Sequence, residues 1–583
     1  MKKFILFFTI LSVIGFTGCK KFLDQQPFSN LTPNKVFQST NDLALYVNSF
    51  YVDQIPSAQT IATTDNTSDY ITGNTIPGIM SPSTNANNIG GWSWSVLRNI
   101  NYFLDNNTNV EIPATVRNNY NGVARYFRAY FYFQMLKQYG DVPWYNHALD
   151  PTDPALYKPR DPRTLVADSI VADLDFAANY LPATKDASCT NVTKWVALAL
   201  KSRVCLFEGT FRKYHTELNL TQTASDFLNK SLDASTQIMN SGNYKLHNTG
   251  NAASDYRALF TTETPWSDEV LLASVYNAGL KHYSSLNQLF TSPTLGFRSS
   301  PIKQFINCYL NADGTRFTDK AGYDTLSFVS ETKNRDPRLR QTIRCNGYKR
   351  ADGTPAPPDF GYTFTGYDIL KYTLDDKTLD YSTLNNNSIP IFRYAEILLN
   401  YAEAKAELGQ FASADWDKTI KLIRARAGIA NTSYPTTADP YLISTYFPNI
   451  SDPALLEIRR ERGVELFSEG QRFDDIKRWK AGQLMEMPYL GIYVPAINTY
   501  YATNGDGVLN VDFVSKAPTP AVKGVTYYLV PITSVNLTQG TYGNIHWLVN
   551  YDAIRKWNDK FYYNPIPTSE LVLNPKLNQN PGW

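Results

Sequence analysis

Cysteine and histidine are scarce in this sequence, which contains five of each among 583 residues. No two cysteines have the C-x-x-C spacing of a structural zinc site, and no H-E-x-x-H pair occurs. The G-x-S-x-G nucleophile motif, the phosphate-binding P-loop and the dinucleotide fingerprint are also missing. The sequence therefore predicts no metal ion, no cofactor and no catalytic residue.

An excess of one charge sign is also lacking, because 55 lysines and arginines stand against 53 aspartates and glutamates. The net charge of +2 and the lack of a basic run with interleaved aromatics give no sign of a nucleic-acid partner. The acidic residues are too numerous for one pair to be identified as the acid and base of a glycoside hydrolase. That enzyme class stays open as a minor alternative.

Long apolar runs are missing except near the amino terminus. Lys2-Lys3 precede an apolar run over residues 4–16, which is too short to span a bilayer. The run ends at Phe16-Thr17-Gly18-Cys19, which resembles a bacterial lipobox. We predict that residues 1–18 are a signal peptide, that Cys19 is lipidated, and that its lipid chains anchor the mature protein to a membrane. A plain secretory signal with a chance cysteine is the alternative.

Four further cysteines occur at Cys189, Cys205, Cys308 and Cys345. Export permits disulfides, but the spacing indicates no framework and three pairings are possible. We predict mostly unpaired, buried thiols.

Aromatic residues are abundant, since 39 Tyr, 31 Phe and 10 Trp make up 14% of the chain. Many of them are needed to fill the core of a large helical protein. The excess of tyrosine over phenylalanine indicates surfaces that use both an apolar ring face and a hydroxyl group.

Helical periodicity dominates the first part of the chain. Residues 40–54 predict an amphipathic helix capped by Thr40 or Asn41, whereas residues 60–91 are too rich in Gly, Pro and Asn for regular structure. Trp92 and Trp94 follow this segment. Further helices are predicted over residues 96–106, 120–139, 165–181, 192–211 and 227–239.

The helical pattern fails between residues 244 and 389, where turn pairs such as Asn346-Gly347 are frequent. We interpret this segment as a loop-rich insertion on a helical scaffold, and scaffolded loops commonly carry binding sites. Helices resume over residues 390–404, followed by a partner helix that ends before Gly428. The chain is loop-rich again after Gly482.

A ladder of charges marks the helix before Gly470. Glu457, Glu461 and Glu465 recur every four residues, and Arg460 and Arg462 lie three residues from Glu457 and Glu465. Apolar residues are interleaved with these charges rather than placed opposite them. We therefore predict partly buried Arg–Glu pairs, which are stable only if each charge is hydrogen-bonded.

Four separated segments carry a recognisable pattern. They are RRERGVELFSEGQRFDDIKRW at residues 459–479, ARYFRAYFYFQMLKQYGDVP at residues 124–143, PIFRYAEILLNYAEA at residues 390–404, and the ending YNPIPTSELVLNPKLNQNPGW. Together they resemble the SusD/RagB family of outer-membrane nutrient-binding lipoproteins. The resemblance covers essentially the whole mature chain.

The resemblance implies a mainly α fold with about four tetratricopeptide-like helix pairs, a large loop-rich insertion and a loop-rich C-terminal part. The expected division is a signal peptide at 1–18, an N-terminal helical part at 19–243, a ligand-binding insertion at 244–389, and a C-terminal part at 390–583 that contains the remaining helix pairs.

The resemblance further implies a non-catalytic, surface-exposed lipoprotein of the outer membrane. Such a protein captures oligosaccharides or polysaccharides and delivers them to a SusC-like TonB-dependent transporter. The candidate glycan-binding residues are Trp92, Trp94, Asp65, Tyr283 and Phe297, each of which could instead pack a loop. Peptide uptake, as in the RagB branch, and a protein-interaction scaffold are the alternatives.

Overall fold

The computed structural model describes residues 36–503 and 505–583. The predicted signal peptide at 1–18 and the predicted lipidation site Cys19 lie outside these residues. Across the described ranges, no helix is both long enough and apolar enough to cross a bilayer.

Helices form most of the regular structure, in agreement with the predicted mainly α fold. Besides short 3-10 turns, the helices are α1 (Thr40–Gln54), α2 (Ala58–Thr64), α3 (Ser95–Asn106), α4 (Ala114–Tyr139), α5 (Arg163–Tyr180), α6 (Lys194–Tyr214), α7 (Ala224–Asn240), α8 (Asp255–Thr261), α9 (Leu286–Thr291), α10 (Lys303–Ile306), α11 (Phe328–Glu331), α12 (Leu339–Thr342), α13 (Tyr394–Glu407), α14 (Ser413–Asp417), α15 (Ile420–Arg426), α16 (Pro440–Thr445), α17 (Pro453–Glu465), α18 (Arg472–Arg478) and α19 (Thr568–Leu573).

Short strands occur in the insertion and in the C-terminal part. They are β1 (Ile71–Thr72), β2 (Val270–Ser274), β3 (Ser300–Pro301), β4 (Ile389–Arg393), β5 (Tyr489–Val494), β6 (Tyr500–Tyr501), β7 (Val511–Val514), β8 (Thr526–Leu529), β9 (Val535–Leu537) and β10 (Gly543–Trp547). The pairs β1–β3 and β2–β4 are antiparallel, and the two larger sheets have the orders β5-β10-β9 and β6-β7-β8, with β7 and β8 parallel.

The long helices pack as consecutive pairs. Helix α4 packs on α5, and α6 packs on α7. Helix α13 packs on α7, on α15 and on α17, so the later pairs continue the stack formed by the first two. This is the tetratricopeptide-like scaffold that the sequence predicted.

Small residues permit the close helix contacts. A Cβ added to Gly122 of α4 would lie 3.2 Å from the Leu181 side chain at the end of α5, and one added to Gly209 of α6 would lie 2.8 Å from Leu228 of α7. Ser202 of α6 lies 2.8 Å from Ser235 of α7, hydroxyl to hydroxyl. Small residues in α6 therefore allow α7 to pack closely against it.

Three local predictions were wrong. The cap of α1 is Ser39, whose hydroxyl accepts from Asp42 N–H while Asp42 accepts from Ser39 N–H, because the true first turn starts one residue before the predicted cap. Residues 58–64 form α2 although 60–91 was expected to be irregular, because Ser57 caps a short apolar turn. Residues 389–393 form β4 rather than helix, because they pair with β2.

The predicted insertion boundary at residue 389/390 falls inside β4. Strand β2 of the insertion pairs with β4 across this boundary, and Ala273 of β2 donates from its N–H to the Cys189 carbonyl at 2.8 Å. The insertion is therefore connected to both flanking parts through backbone hydrogen bonds.

The charge ladder on α17 is fully buried, which confirms the predicted buried Arg–Glu pairs. Glu465 accepts from Arg393 at 2.6 Å, from Arg338 at 2.8 Å and from Arg426. Glu461 accepts from Arg424 at 2.9 Å and also from Arg338. The pKa of Glu465 lies well below its usual range, because the arginines outweigh the effect of burial, which alone would raise it.

The cysteine prediction is also confirmed. Cys189, Cys205, Cys308 and Cys345 are free and buried. Burial raises the pKa of the Cys205 and Cys345 thiols to about 12, so both stay protonated.

Candidate functional site

An open cleft of about 360 Å³ lies between the start of α3, the loops after α4 and the C-terminal tail. We call it the tryptophan cleft. Its aromatic lining consists of Trp92, Trp94, Tyr145 and Tyr157. Its polar lining consists of Ser95, Arg98, Asn101, His147, Glu570 and Asn574.

The two tryptophans are held by other rings. The Trp94 centroid lies 5.3 Å from that of Trp92, 5.5 Å from that of Tyr145 and 5.7 Å from that of Phe131. Trp92 also meets Tyr139 edge to face at 4.9 Å. Both indoles are partly buried, and neither indole N–H donates a hydrogen bond within the described part of the chain. The cleft therefore presents rigid ring surfaces with free donors.

The wall formed by the loop after α4 is fixed by Arg128. Its Nε and Nη2 donate to the buried Asp173 carboxylate at 2.7 and 2.8 Å. Its Nη1 donates to Asn101 Oδ1 at 3.1 Å, and Asn101 Nδ2 donates to the Tyr145 carbonyl at 2.9 Å. A buried, fully paired arginine thus positions the backbone of Tyr145.

Tyr145 is held at both ends. Its backbone N–H donates to the Tyr132 hydroxyl at 2.5 Å, and its own hydroxyl donates to the Leu156 carbonyl at 3.2 Å. Burial raises the pKa of Tyr145 to about 12, so its phenol stays protonated. Tyr157 also lines the cleft and is 47% exposed, which leaves its ring free to contact a ligand.

The C-terminal tail closes the cleft from another side. Asn574 Nδ2 donates to the Lys158 carbonyl at 2.9 Å. Asn580, which is 4% exposed, donates from Nδ2 to the Tyr139 carbonyl at 3.1 Å and accepts from Arg160 at 2.7 Å. These bonds bring Glu570 to the cleft.

The charged groups of the cleft nearly balance. Arg98 is exposed and its Nε donates to the Leu149 carbonyl at 3.3 Å, while Glu570 supplies the opposite charge. His147 is exposed, and its Nδ1 lies 2.7 Å from Asp105 Oδ1. Ring faces with hydroxyl, amide and charged edges suit a neutral ligand that has both apolar and polar surfaces.

Asp65 lies apart from this cleft. It is 1% exposed, and its Oδ1 accepts from the Arg472 backbone N–H at 3.2 Å. Burial raises the pKa of Asp65 to about 7 although N–H donors from Arg472 and Gly470 lower it. This placement gives Asp65 a structural role next to α18.

Tyr283 and Phe297 are loop residues of the insertion and do not line the tryptophan cleft. The Tyr283 hydroxyl donates to the Ala278 carbonyl at 3.2 Å within its own loop. Phe297 is 49% exposed, and its carbonyl faces Gly73. The structure thus brings together Trp92 and Trp94 and leaves the other three predicted residues elsewhere.

The sequence prediction missed Tyr145, Tyr157, Arg98, His147 and Glu570. Tyr145 stands two residues after the Gly140–Pro143 stop of α4, and Glu570 belongs to the PIPxxE ending, so both follow segments that were recognised. Nothing local in the sequence indicates that these two segments meet, because more than 400 residues separate them.

Two family models match the chain. The model described as SusD family matches residues 292–583, and the model described as starch-binding associating with outer membrane matches residues 21–206. The first match spans half of the chain.

Individual relatives agree with these matches. SusD-like protein P2 of Formosa agariphila is 22% identical over 529 residues, which are 83% of this chain and 92% of that protein. A solved SusD-like carbohydrate binding protein of Bacteroides fragilis has a TM-score of 0.69 at 22% identity and covers 93% of this chain and 100% of its own. A laminarin binding SusD-like protein has a TM-score of 0.58 at 16% identity, with 93% and 99% covered. These two structures share the fold of this chain.

Proposed function

This chain belongs to the SusD family, and from that premise we propose that it is a non-catalytic surface lipoprotein that captures oligosaccharides or polysaccharides. The tryptophan cleft is the proposed binding site. The proposal rests on one observation above the others: Trp92, Trp94, Tyr145 and Tyr157 line one cleft together with free polar groups.

Sugars need such a combination because they present C–H faces and hydroxyl edges. The ring faces remove the C–H faces from water, and the indole N–H groups, Arg98 and Glu570 are within the same lining to bind hydroxyls. If one ring removes about 100 Å² of apolar surface from water, the gain is roughly 2–3 kcal/mol before the entropy cost of binding. A few rings then give weak to moderate affinity, which suits a receptor that must release its cargo.

The lining also favours binding without cleavage. Glycoside hydrolysis normally uses two carboxyl groups on either side of the scissile bond. Among the described residues that line the cleft, Glu570 is the one carboxylate, so the lining offers no second acid. We therefore propose that bound glycan leaves the site unchanged.

The proposed cellular role follows the family. We propose anchoring through lipid at Cys19, exposure at the surface of the outer membrane, and delivery of the glycan to a SusC-like TonB-dependent transporter. The description of one matching family model, starch-binding associating with outer membrane, supports the location.

Binding can be tested by affinity gel electrophoresis and calorimetry with starch, laminarin, further polysaccharides and a peptide mixture. Tyr157→Ala should weaken glycan binding by roughly tenfold or more, because about 2 kcal/mol of ring contact is lost. Tyr180→Ala is the matched control, since Tyr180 is 46% exposed on α5, outside the cleft, and its loss should leave binding unchanged.

Each other result has a clear meaning. Binding of peptides but of no polysaccharide would replace glycan capture with peptide capture. New reducing ends after incubation with a bound polysaccharide would show a hydrolase. Equal losses in the two tyrosine variants would remove the tryptophan cleft as the site.

A further inference from the structure

A second cavity, of about 620 Å³, opens in the insertion. We call it the insertion pocket. It is lined by α8, by α12 and by the turn around Gly347. Its volume lies within the range of about 300–1,000 Å³ that is typical of small-molecule sites.

Positive charge exceeds negative charge in this pocket. Its charged lining residues are Arg257, Arg340, Lys349 and Asp375. Asp375 is already engaged, because it accepts from Arg257 at 2.7 and 2.9 Å and from the Tyr348 hydroxyl at 2.6 Å. Arg340 and Lys349 are exposed and form no ion pair within the described ranges. These two cations are therefore free to pair with an anionic ligand.

A buried arginine, Arg344, lies next to the lining residue Tyr348 and itself lines a neighbouring cavity. Arg344 is 4% exposed, and its guanidinium lies 5.8 Å from the centroid of the Tyr348 ring. Its Nε and Nη2 have no hydrogen-bond partner among the described residues. The nearby carboxylate, Asp368 at 3.3 Å, has its pKa raised to about 7 by burial, although Arg344 lowers it. At neutral pH the charge of Asp368 therefore offsets Arg344 only in part.

The rest of the lining provides groups for hydroxyls. Ser254 contributes a hydroxyl group, Asn346 contributes an amide and Tyr348 contributes an aromatic ring. An unpaired arginine and an unpaired lysine recognise carboxylate or sulfate oxygens through charge-assisted hydrogen bonds. Polar neutral groups around two free cations therefore match a sugar ring that carries an acid group.

We propose that the insertion pocket binds an acidic sugar unit, one that carries a carboxylate or a sulfate, through Arg340 and Lys349. That the ligand is a sugar rests on the proposed function; that it is acidic rests on the charges of this pocket. The tryptophan cleft has nearly balanced charges, so the two sites differ in the sugars that they prefer.

The test compares four probes: an oligogalacturonide, a sulfated galactan oligosaccharide, a neutral laminari-oligosaccharide and a DNA duplex. Binding is measured by calorimetry for the wild type and for Arg340→Gln/Lys349→Gln. The control is Lys245→Gln/Lys320→Gln, which removes the same charge at two exposed positions outside both cavities. Circular dichroism verifies that each variant is folded.

The first double variant should weaken binding of the preferred acidic oligosaccharide by about tenfold or more, because two charge-assisted contacts are lost. Laminari-oligosaccharide binding should stay unchanged in both variants, and the control should bind every probe as the wild type does. Whichever acidic probe binds more tightly to the wild type identifies the acid group. Added NaCl should weaken this binding and leave neutral binding unaffected.

Several results would overturn the proposal. One is that the protein binds the laminari-oligosaccharide but neither acidic probe. That result would contradict this inference and would still agree with the proposed function. A second is an equal loss in the control, and a third is DNA binding as tight as that of the acidic sugars, which would indicate attraction for any polyanion. If no sugar probe or polysaccharide binds, the proposed function fails together with this inference.

Discussion

At the scale of single residues, burial decides which predicted site residues reach the surface. Trp92 and Trp94 were identified because they stand between an irregular segment and a helix, and the structure places both at a cleft. Asp65 was chosen from the same irregular segment. Helix α2 and the 3-10 turn Asp65–Thr67 instead carry its side chain inward, against Arg472. The sequence pattern of this segment did not indicate α2, so the burial of the Asp65 side chain could not be predicted.

The burial of Asp65 has a consequence for stability. Its pKa is about 7 in the folded protein against an ordinary value of 3.8, because burial disfavours the charged form. The folded state therefore holds the proton more tightly than the unfolded state. Its stabilising contribution is complete below pH 3.8 and is lost as the pH rises through about 7. The difference between these two pKa values corresponds to a change of roughly 4 kcal/mol at most in the free energy of unfolding.

Asp65→Asn should remove this pH dependence, because an amide does not ionise. Urea unfolding of both proteins at pH 5 and pH 8 measures it. The free energy of unfolding of the wild type should fall by about 2–3 kcal/mol more than that of the variant when the pH is raised from 5 to 8. A difference between the two proteins that is the same at both pH values would contradict the titration of Asp65.

At the scale of elements, the sequence predicted where most helices lie but not what holds them in place. The helices α3 and α5 to α7 match their predicted ranges to within three residues, since their apolar periodicity is strong, whereas α4 begins six residues before its predicted start at residue 120. The helix expected before Gly428 is divided into α14 and α15 around Thr419, and nothing in its periodicity signals the break.

For the charge ladder, too, the sequence predicted the type of interaction but not all of the partners. Spacing correctly predicted that the glutamates of α17 pair with arginines, and it suggested Arg462 for Glu465. Arg462 instead donates to Asp475 at 2.8 Å. The partners of Glu465 are Arg338, Arg393 and Arg426, which lie on other elements. Their approach depends on tertiary packing, which local spacing does not contain.

Glu465→Gln tests how much this ladder stabilises the fold. An amide in place of the carboxylate leaves three buried guanidiniums without their common counter-charge, so the free energy of unfolding should fall by about 3–5 kcal/mol. Guanidinium chloride is unsuitable because its salt screens charges, so the measurement is urea unfolding at neutral pH.

Asp417→Asn is the matched control for this change. It removes one negative charge from an exposed ion pair, in which Lys421 lies 2.9 Å away and both side chains are about half exposed. Exposed pairs contribute about 0–1 kcal/mol, so this variant should unfold almost as the wild type does. If Asp417→Asn and Glu465→Gln lowered the free energy of unfolding by the same amount, the buried charge ladder would stabilise the fold no more than an exposed ion pair does.

At the scale of the whole molecule, buried ion pairs connect the insertion to the helical scaffold. Glu269, immediately before β2, is 0% exposed and accepts from Arg393 at 3.0 Å and from Arg426 at 3.3 Å. The same two arginines bind Glu465 of α17. The network thus connects the insertion to the later helices, and the predicted division at 244 and 389 separates segments that share one set of charges.

Hydrogen exchange resolved by segment tests this connection. Amides of β2, in the insertion, and of α6, in the N-terminal part, should exchange only when the whole protein unfolds, because β2 bonds to β4 and to Cys189 just before α6. Both segments should therefore report the same opening free energy. In Glu465→Gln both values should fall together and by the same amount. The contrary results are an opening free energy of β2 that is much lower than that of α6, or a variant that lowers the opening free energy of β2 alone. Either result would show that the insertion unfolds as an independent unit and that the insertion pocket belongs to a separate domain.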